Sequence, residues 1–307
     1  MGEEFLNKKG IVINFLASDL LQLKKGDRVP SVSEYQTRFD VARGTIQNAL
    51  TFLKEIKAVQ LKSHGHLGTF IEAIDYGVLQ EYALSDTILG TMTLPYSRLY
   101  EGLATGIYEV FKENNIKLNM AYIRGSKERI RSITNKTYRF AVVSAFAAQR
   151  AIKQGEPLEI VVNFGTQTYL SEHVLLFKEE GQTVLTSGMR IAIDYSSLDQ
   201  QALTKEIIGD LPVEFIEMQG HQIISALKDD HIDAGIWNFD EIRDKNQQGL
   251  QYVSLKENQL EKAMGTSVII THIEDVSMKA FLQKSINKEK VLQIQQAVCQ
   301  GQLIPQY

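Results

Sequence analysis

The sequence contains one cysteine, Cys299, so no disulfide can form within the chain, and a reducing compartment suits it best. No apolar run approaches the ~18 residues that a bilayer-spanning helix needs. Residues 1–5 (MGEEF) lack the basic stretch and apolar segment of a secretory signal. We therefore expect a cytoplasmic protein without a membrane segment.

The sequence also has no large excess of one charge. It contains 33 Lys and Arg and 37 Asp and Glu, which gives a net charge of -4. This balance argues against nucleic acid coating the whole surface, but it permits one local DNA-binding face. Hydrophobic residues at 44% and charged residues at 23% are typical of a globular protein, and 307 residues favour two domains.

Enzyme signatures are missing as well. The sequence has no glycine-rich phosphate loop or paired-carboxylate motif, and Cys299 has no paired base. His64 and His66 have no third or fourth metal ligand nearby in the sequence. We therefore predict a protein that is not an enzyme, with no cofactor and no metal.

The first 75 residues show helical periodicity. Ile11, Phe15, Leu16 and Leu20 predict an amphipathic helix that ends at residues 24–27 (KKGD). The pair Ser31 and Glu34 then has the spacing of a capping box, in which each side chain satisfies the other residue's backbone N–H.

That second helix should point Tyr35 and Phe39 inward, and a turn at residues 40–42 (DVA) leads to a third helix with Ile46, Ala49 and Leu53 on its apolar face. Alternation in residues 58–63 and 68–71 predicts a β-hairpin. The segment fits a helix-turn-helix with a wing, although an arbitrary small helical domain remains open from periodicity alone.

Three segments in this order and spacing resemble the GntR family of winged-helix regulators: residues 26–31 (GDRVPS), 41–50 (VARGTIQNAL) and 65–71 (GHLGTFI). The resemblance implies that the helix beginning near Arg43 enters the major groove. It also implies that the hairpin contacts the minor groove or the phosphates. Ala42 replaces the family's serine cap, Gly44 lies in the first turn, and Gln47 replaces an arginine.

Arg43 is the strongest candidate DNA contact, because its planar fork suits guanine edges and phosphates alike. A domain kept only for dimerisation is the alternative. The DNA-binding residues that we predict are Ser31, Arg43, Thr45, Gln47, Asn48, Lys62, His64, His66 and Thr69.

From about residue 84, apolar strand patterns alternate with helical patterns, which predicts parallel βαβ units with helices on both faces. Two such series suggest two lobes. We predict a winged helix-turn-helix in residues 1–75 and an effector domain in residues 76–307. Its first lobe spans about 84–170 and 263–307, and its second lobe about 171–262.

This layout is similar to the type 2 periplasmic-binding-protein fold, so the predicted fold class is an α+β winged helix-turn-helix followed by an α/β two-lobed domain. The chain also resembles the YhfZ-like branch of GntR-related regulators. The residues that carry this second resemblance lie at 94–97 (LPYS), 100–104 (YEGLA), 141–144 (AVVS), 168–169 (TY), 172–173 (EH) and 236–238 (IWN).

Ligands of such folds bind at strand ends that turn into helices, since a helix N-terminus offers free N–H groups and a positive dipole. The serines there could equally be helix caps, the lone tryptophan could be a core residue, and Glu172 could form a hinge salt bridge. The predicted ligand-binding residues are Tyr96, Ser97, Arg124, Ser126, Ser144, Thr166, Glu172, Tyr195, Ser196, Ser197, Trp237 and Asn238.

The sequence therefore predicts a homodimeric transcription regulator that binds a double-stranded DNA operator and a small polar, anionic effector. Two alternatives stay open. One is an enzyme or binding protein fused to a degenerate DNA-binding domain, and the other is an interaction module that does not bind DNA. A chorismate-lyase-like effector domain would be much shorter than the residues available.

Overall fold

A computed structural model describes the molecule as two compact units, the first formed by Met1–Leu89, Glu109–Asn119 and Asp275–Ile286 and the second by the remainder. No helix in the described part of the chain has the length and apolarity needed to cross a bilayer. The described residues are 8–39, 41–83, 88–113, 116–179, 181–245, 250–256 and 258–307.

The N-terminal part of the first unit is built on helices that surround one apolar core, in which Leu16, Tyr35, Ile46, Leu53 and Leu79 are fully buried. The last of these helices follows the β-hairpin in the chain and contributes Leu79, so the same core includes residues on both sides of the hairpin. The helices are α1 (Lys8–Leu20), α2 (Val32–Phe39), α3 (Arg43–Glu55) and α4 (Tyr76–Ala83).

A small antiparallel sheet adds the wing. It contains β1 (Arg28–Val29), β2 (Val59–Ser63) and β3 (Thr69–Ile74) in the order β1-β3-β2. A tight 3-10 turn, Gly65–Leu67, joins β2 to β3. The helix-turn-helix with a wing that the sequence predicts is confirmed.

Two details of α1 differ from expectation. The helix ends at Leu20, before the predicted lysines, because Gln22 and Leu23 already donate to carbonyls three residues back and Asp27 accepts the N–H of Lys24 at 2.9 Å. Phe15 is 46% exposed instead of buried. Asp40 and the side chain of Ile11 lie outside the described residues.

The rest of the chain alternates strands and helices. The strands are β4 (Ile88–Met92), β5 (Leu118–Tyr122), β6 (Phe140–Ser144), β7 (Leu158–Gly165), β8 (His173–Phe177), β9 (Arg190–Ile193), β10 (Glu214–Glu217), β11 (Ala234–Asn238), β12 (Gln251–Ser254) and β13 (Ser267–His272). The helices are α5 (Arg98–Glu113), α6 (Ser126–Thr134), α7 (Ala145–Lys153), α8 (Leu198–Ile208), α9 (Ile223–Lys228), α10 (Phe239–Asp244), α11 (Glu261–Met264), α12 (Val276–Ser285) and α13 (Lys288–Cys299).

Within the described residues these strands form two five-stranded sheets, ordered β5-β4-β6-β13-β7 and β10-β9-β11-β8-β12. We call the first sheet with its helices the first lobe and the second sheet with its helices the second lobe. In the second lobe, Leu203 of α8 packs on one face of the sheet, while Ile223 and Leu227 of α9 pack on the other.

The sheets are mixed, whereas the sequence predicts parallel strands. β4 and β6 are parallel, as are β9 and β11, but β13 runs antiparallel to β6 and β7, and β8 runs antiparallel to β11 and β12. Ser267 opens β13 opposite Ser144 and Gly165, which end β6 and β7. β7 carries the chain out of the first lobe, and β13 brings it back beside the end of β7. The returning strand β13 therefore runs antiparallel to β7.

Candidate functional site

A cavity of about 720 Å³, including its opening to solvent, lies in the second unit. The first lobe lines it with residues that follow β4 and β5 and with α6, and the second lobe lines it with residues that follow β9 and β10 and with the last two residues of β11. The cavity therefore lies at carboxyl ends of strands in both lobes, where ligands of open α/β sheets bind.

The structure brings many of the predicted ligand residues together at this cavity. Those that line it are Tyr96, Arg124, Ser126, Ser196, Ser197, Trp237 and Asn238. The predicted residues that do not line it are Ser97, Ser144, Thr166, Glu172 and Tyr195.

The residues outside the lining have other partners. Ser97 is buried and its Oγ accepts the Tyr100 N–H at 3.5 Å, and Ser144 caps α7 by accepting the N–H of Ala147 at 3.0 Å. Glu172 accepts a hydrogen bond from Ser254.

The other two lie apart from the cavity. Thr166 lines a separate groove with Lys262, and the ring of Tyr195, itself 37% exposed, lies 5.9 Å from Lys205 Nζ.

Direct contacts close the lobes over the cavity. Ser126 Oγ accepts the N–H of Leu198 at 2.9 Å, and Arg124 donates to Gln219 Oε1 at 2.8 Å. Gly125 has a φ of 73°, and a Cβ there would lie 2.7 Å from the carbonyl oxygen and from Oγ of Ser196. Only glycine allows this approach of the two chains.

Aromatic rings form one wall. The rings of Tyr96 and His221 are nearly parallel, at 8° with centroids 6.3 Å apart, and Trp237 stands edge-on to Tyr96 at 6.1 Å. A Cβ at Gly220 would fall 1.9 Å from the Trp237 ring, so the indole lies directly on this backbone. Burial and the nearby Arg124 lower the pKa of His221.

Arg129 is a cavity residue that the sequence analysis missed. It is 3% exposed, and its Nη1 and Nη2 donate to the Ile123 carbonyl at 2.7 Å and to Tyr169 Oη at 2.9 Å. A signal existed, because Ser126, Arg129, Ile130 and Ile133 form the buried face of α6 at helical spacing. An arginine on an apolar helix face needs a buried partner.

Three nitrogens on this lining are buried and lack a hydrogen-bond partner: Arg129 Nε, Trp237 Nε1 and Asn238 Nδ2. Asn238 Oδ1 accepts the N–H of Asp240 at 2.9 Å, which fixes the orientation of the amide. All three atoms are donors. A buried donor without an acceptor costs about 1–3 kcal/mol, so an acceptor oxygen that reached one of these nitrogens would be stabilising.

The acidic residues of the lining are already engaged. Asp194 accepts from Ser196 Oγ at 2.5 Å and from the Gly220 N–H at 3.1 Å. Asp199 is buried, accepts a hydrogen bond from Ser144, and has its pKa raised by burial.

A buried contact between a histidine and a glutamate borders the cavity. His173, which lines it, has Nδ1 2.7 Å from Glu261 Oε1. Neither this pair nor the aspartates leave a buried, unpartnered side-chain oxygen on the described lining.

The first unit presents the predicted DNA-binding residues on α3. Arg43, Gln47 and Asn48 are exposed and Thr45 is partly exposed. Ala42 precedes the helix in an extended conformation without a side-chain cap, as the sequence predicts.

The wing residues are also accessible. Lys62 lies 4.0 Å from Glu72, the exposed His64 packs edge-on against Phe70, His66 is exposed, and Thr69 is partly exposed. No group of three or more potential metal ligands occurs among the described residues.

Ser31 differs from the other predicted DNA contacts, because its hydroxyl is used within the fold. Ser31 Oγ accepts the Glu34 N–H at 3.2 Å, and Glu34 accepts the Ser31 N–H at 2.5 Å. The predicted capping box is therefore present at the start of α2.

Comparison with known proteins gives matches along the chain. A helix-turn-helix domain model matches residues 24–71, and the YhfZ C-terminal domain model matches residues 75–307. The chain is 29% identical over 307 residues to the uncharacterized protein YhfZ of Escherichia coli (strain K12), a match that covers 100% of both chains.

Solved structures agree with this result. The crystal structure of YhfZ from Shigella flexneri is 30% identical, with a TM-score of 0.63 over 75% of this chain and 97% of that one. The alkanesulfonate-binding protein SsuA from Xanthomonas axonopodis pv. citri, bound to MOPS, is 11% identical, with a TM-score of 0.52 over 70% of this chain and 75% of that one. This second likeness concerns the fold alone, and the two-lobed fold resembling periplasmic binding proteins is confirmed.

Proposed function

Because the chain belongs to the YhfZ family, we propose that it is a DNA-binding transcription regulator of GntR type that senses a small anionic metabolite in the cavity between its lobes. A helix-turn-helix domain joined to a YhfZ C-terminal domain is the arrangement of a regulator rather than of an enzyme. Such a protein acts in the cytoplasm, on double-stranded DNA, and needs no cofactor.

The observation that carries the ligand-binding half is the set of unpaired donors at Arg129 Nε, Trp237 Nε1 and Asn238 Nδ2. A ligand that brings acceptor oxygens to these atoms removes their desolvation cost. Hydrogen bonds to a charged acceptor are the stronger ones, so an anion gains more here than a neutral molecule.

The DNA-binding half rests on the exposed face of α3. Arg43, Gln47 and Asn48 can all hydrogen-bond to base edges, and Arg43 can also pair with a phosphate. Up to residue 75 the sequence has ten Lys and Arg against nine Asp and Glu, so electrostatic affinity per chain is modest. A homodimer on two half-sites compensates for this, as in other helix-turn-helix proteins.

Regulation then requires that ligand and operator affinities be coupled, and by linkage each changes the other by the same factor. The ligand contacts both lobes, since Arg129 belongs to the first lobe and Trp237 and Asn238 to the second. Its binding therefore favours the closed arrangement of the lobes.

The DNA-binding half is tested with duplexes from the region upstream of the gene, in low salt, by fluorescence anisotropy of the full-length protein. Arg43→Ala should weaken specific binding by about 5- to 150-fold, because a good base contact contributes about 1–3 kcal/mol. Lys54→Ala, which removes a cation from the last turn of the same helix, is the matched control and should have a smaller effect. Failure to bind any of these duplexes would refute the proposal.

The effector half is tested by identifying, with mass spectrometry, any small molecule that accompanies the protein through purification. Trp237 is the only tryptophan of the chain, so its emission reports directly on the cavity. A genuine effector should change that emission and shift operator affinity. An effector that binds in the cavity without altering operator affinity or dissociation rate would contradict the coupling.

A further inference from the structure

Resting on the proposed function, we infer that Arg28 is a positioning residue for DNA binding, which holds the wing against α2 and does not itself contact a phosphate. Arg28 lies in β1, outside α3 and outside the turn of the wing. Three observations lead to this role: the strand that holds its backbone, the carboxylate that holds its guanidinium, and the glycine on which its side chain lies.

The backbone of Arg28 belongs to the sheet of the wing. Arg28 is paired with Phe70 of β3. Just before it in the chain, the N–H of Gly26 donates to the Ile71 carbonyl at 2.8 Å, and the N–H of Ile71 donates to the Asp27 carbonyl at 3.0 Å. These backbone bonds fix the position of Arg28 relative to β3, the second strand of the hairpin.

The side chain of Arg28 reaches the start of α2. Its Nη1 and Nη2 donate to the two carboxylate oxygens of Glu34 at 3.5 and 3.3 Å. The same carboxylate accepts the Ser31 N–H at 2.5 Å, so the capping box already holds it in place. Hydrogen bonds from Ser31 and the charge of Arg28 lower the pKa of Glu34, which keeps the carboxylate ionised. The pair therefore ties the sheet of the wing to the helix that packs against α3.

The same side chain lies on the turn of the wing. A Cβ added to Gly68 would be 2.9 Å from Arg28 Nε and 3.5 and 3.6 Å from its Cδ and Cγ, so the stem of the arginine runs directly over this glycine. Gly68 follows the turn Gly65–Leu67, and its carbonyl accepts the His64 N–H at 2.8 Å. Arg28 thus contacts the wing beside two of the predicted DNA contacts, His64 and Thr69.

These contacts make Arg28 a poor phosphate ligand. Both of its Nη atoms donate to Glu34, whose charge offsets that of the guanidinium. A phosphate that took the same donors would meet a carboxylate that the capping box keeps beside them, and like charges in contact are unfavourable. Both side chains are about half exposed, so the pair contributes little to the stability of the domain. We expect its loss to change the order of the wing and not the fold.

Glu34→Gln in the full-length protein tests this role, with affinity measured by fluorescence anisotropy on an upstream duplex. Glutamine also serves at this position of a capping box, so the start of α2 is kept while the charge that holds Arg28 is lost. Glu72→Gln is the matched control, because Glu72 lies 4.0 Å from Lys62 in an ion pair within the hairpin itself. Each variant removes one negative charge, which by electrostatics alone strengthens DNA binding.

We expect the two variants to differ in direction. Glu34→Gln should weaken binding about two- to fivefold, because a wing that is in place less often lowers the apparent affinity by the same factor, and an exposed ion pair supports a change of this size. Glu72→Gln should bind as the wild type does or more tightly. The inference is overturned if Glu34→Gln binds as tightly as the wild type or better.

The double variant Arg28→Gln/Glu34→Gln separates positioning from phosphate contact, because it keeps the net charge. Each lost phosphate contact lowers the slope of log affinity against log salt concentration by about 0.9. We expect the double variant to lose no more affinity than Glu34→Gln and to keep the wild-type slope. A slope smaller by about 0.9 would show that Arg28 binds a phosphate and would overturn the inference.

Hydrogen exchange makes the failure of this inference distinguishable from failure of the proposed function. Glu34→Gln should speed amide exchange in residues 64–69 relative to the wild type and to Glu72→Gln, while exchange in α3 stays unchanged. If the wild type binds none of its upstream duplexes but this difference is present, the regulator is refuted and the role of Arg28 in placing the wing stands. Equal exchange of residues 64–69 in the two variants, or faster exchange in α3 as well, would overturn that role.

Discussion

Gly125→Ala should destabilise the closed arrangement of the two lobes. The added methyl would lie 2.7 Å from the carbonyl oxygen and from Oγ of Ser196, which belongs to the opposite lobe. Because one of these atoms is backbone, a side-chain rotation cannot relieve the contact, and overpacking of this kind costs about 1–3 kcal/mol.

A second cost arises at the same site. Gly125 has a φ of 73°, and an alanine in the left-handed region costs about 1–2 kcal/mol even without a clash. Gly155→Ala isolates that part, because Gly155 has a φ of 90° but a methyl added there would meet nothing within 4 Å. We therefore expect losses in the free energy of unfolding of about 1–2 kcal/mol for Gly155→Ala and about 2–5 kcal/mol for Gly125→Ala.

The assay is urea unfolding of the full-length protein, followed by far-ultraviolet circular dichroism and by the emission of Trp237. Since Trp237 is partly buried at the cavity, opening of the lobes should also shift its native emission to longer wavelength in Gly125→Ala alone. Equal stability losses in the two variants, with unchanged native emission, would refute the role of the Gly125 contact in closing the lobes.

Three further predictions concern stability. Ser31→Ala should lower the free energy of unfolding of the winged helix by about 1 kcal/mol and Ser31→Gly by a few tenths, and equal effects would exclude the cap as the cause. Ala42→Ser should raise it by about 0.5–1 kcal/mol, because the backbone before α3 already has a capping conformation without a capping side chain, and a loss would contradict this. Lys178 and Arg190 lower the pKa of Asp230 from 3.8 to about 2, so its contribution to stability is present above 3.8 and lost as the pH falls to about 2. Asp230→Asn should remove that pH dependence in acid unfolding, and an unchanged profile would refute it.

The winged helix could be predicted because its signals are local. Ser31 and Glu34 are three residues apart, and their mutual hydrogen bonds need no information from elsewhere in the chain. The missing cap at Ala42 is equally visible from the residue type. The end of α1 could not be placed, since Asp27 competes for the N–H of Lys24 and the last turns tighten before the lysines.

The antiparallel strands could not be predicted from periodicity. A buried strand has the same apolar pattern in either direction, so residues 267–272 look alike whether they continue or reverse the sheet. Their direction follows from where the chain crosses between lobes, which is a property of the whole topology.

The cavity residues also divide into those that the sequence could predict and those that it could not. Arg124, Ser126 and Ser197 could be placed because strand ends adjoin helix starts, whereas Ser97 and Ser144 fit the alternative interpretation as helix caps. Arg129 was missed because its function depends on what α6 packs against. Its spacing on the buried face of α6 was the one available signal.

The unpaired donors of the cavity lining also have an energetic cost. Three buried donors without acceptors cost together about 3–9 kcal/mol, a large part of the roughly 5–15 kcal/mol that usually stabilises a domain. Rules based on stability give no reason to leave such donors unpaired, so Trp237 and Asn238 were predicted only from their place at the end of a strand, and Arg129 was missed. The same cost makes them informative, because an acceptor supplied by a ligand would remove it.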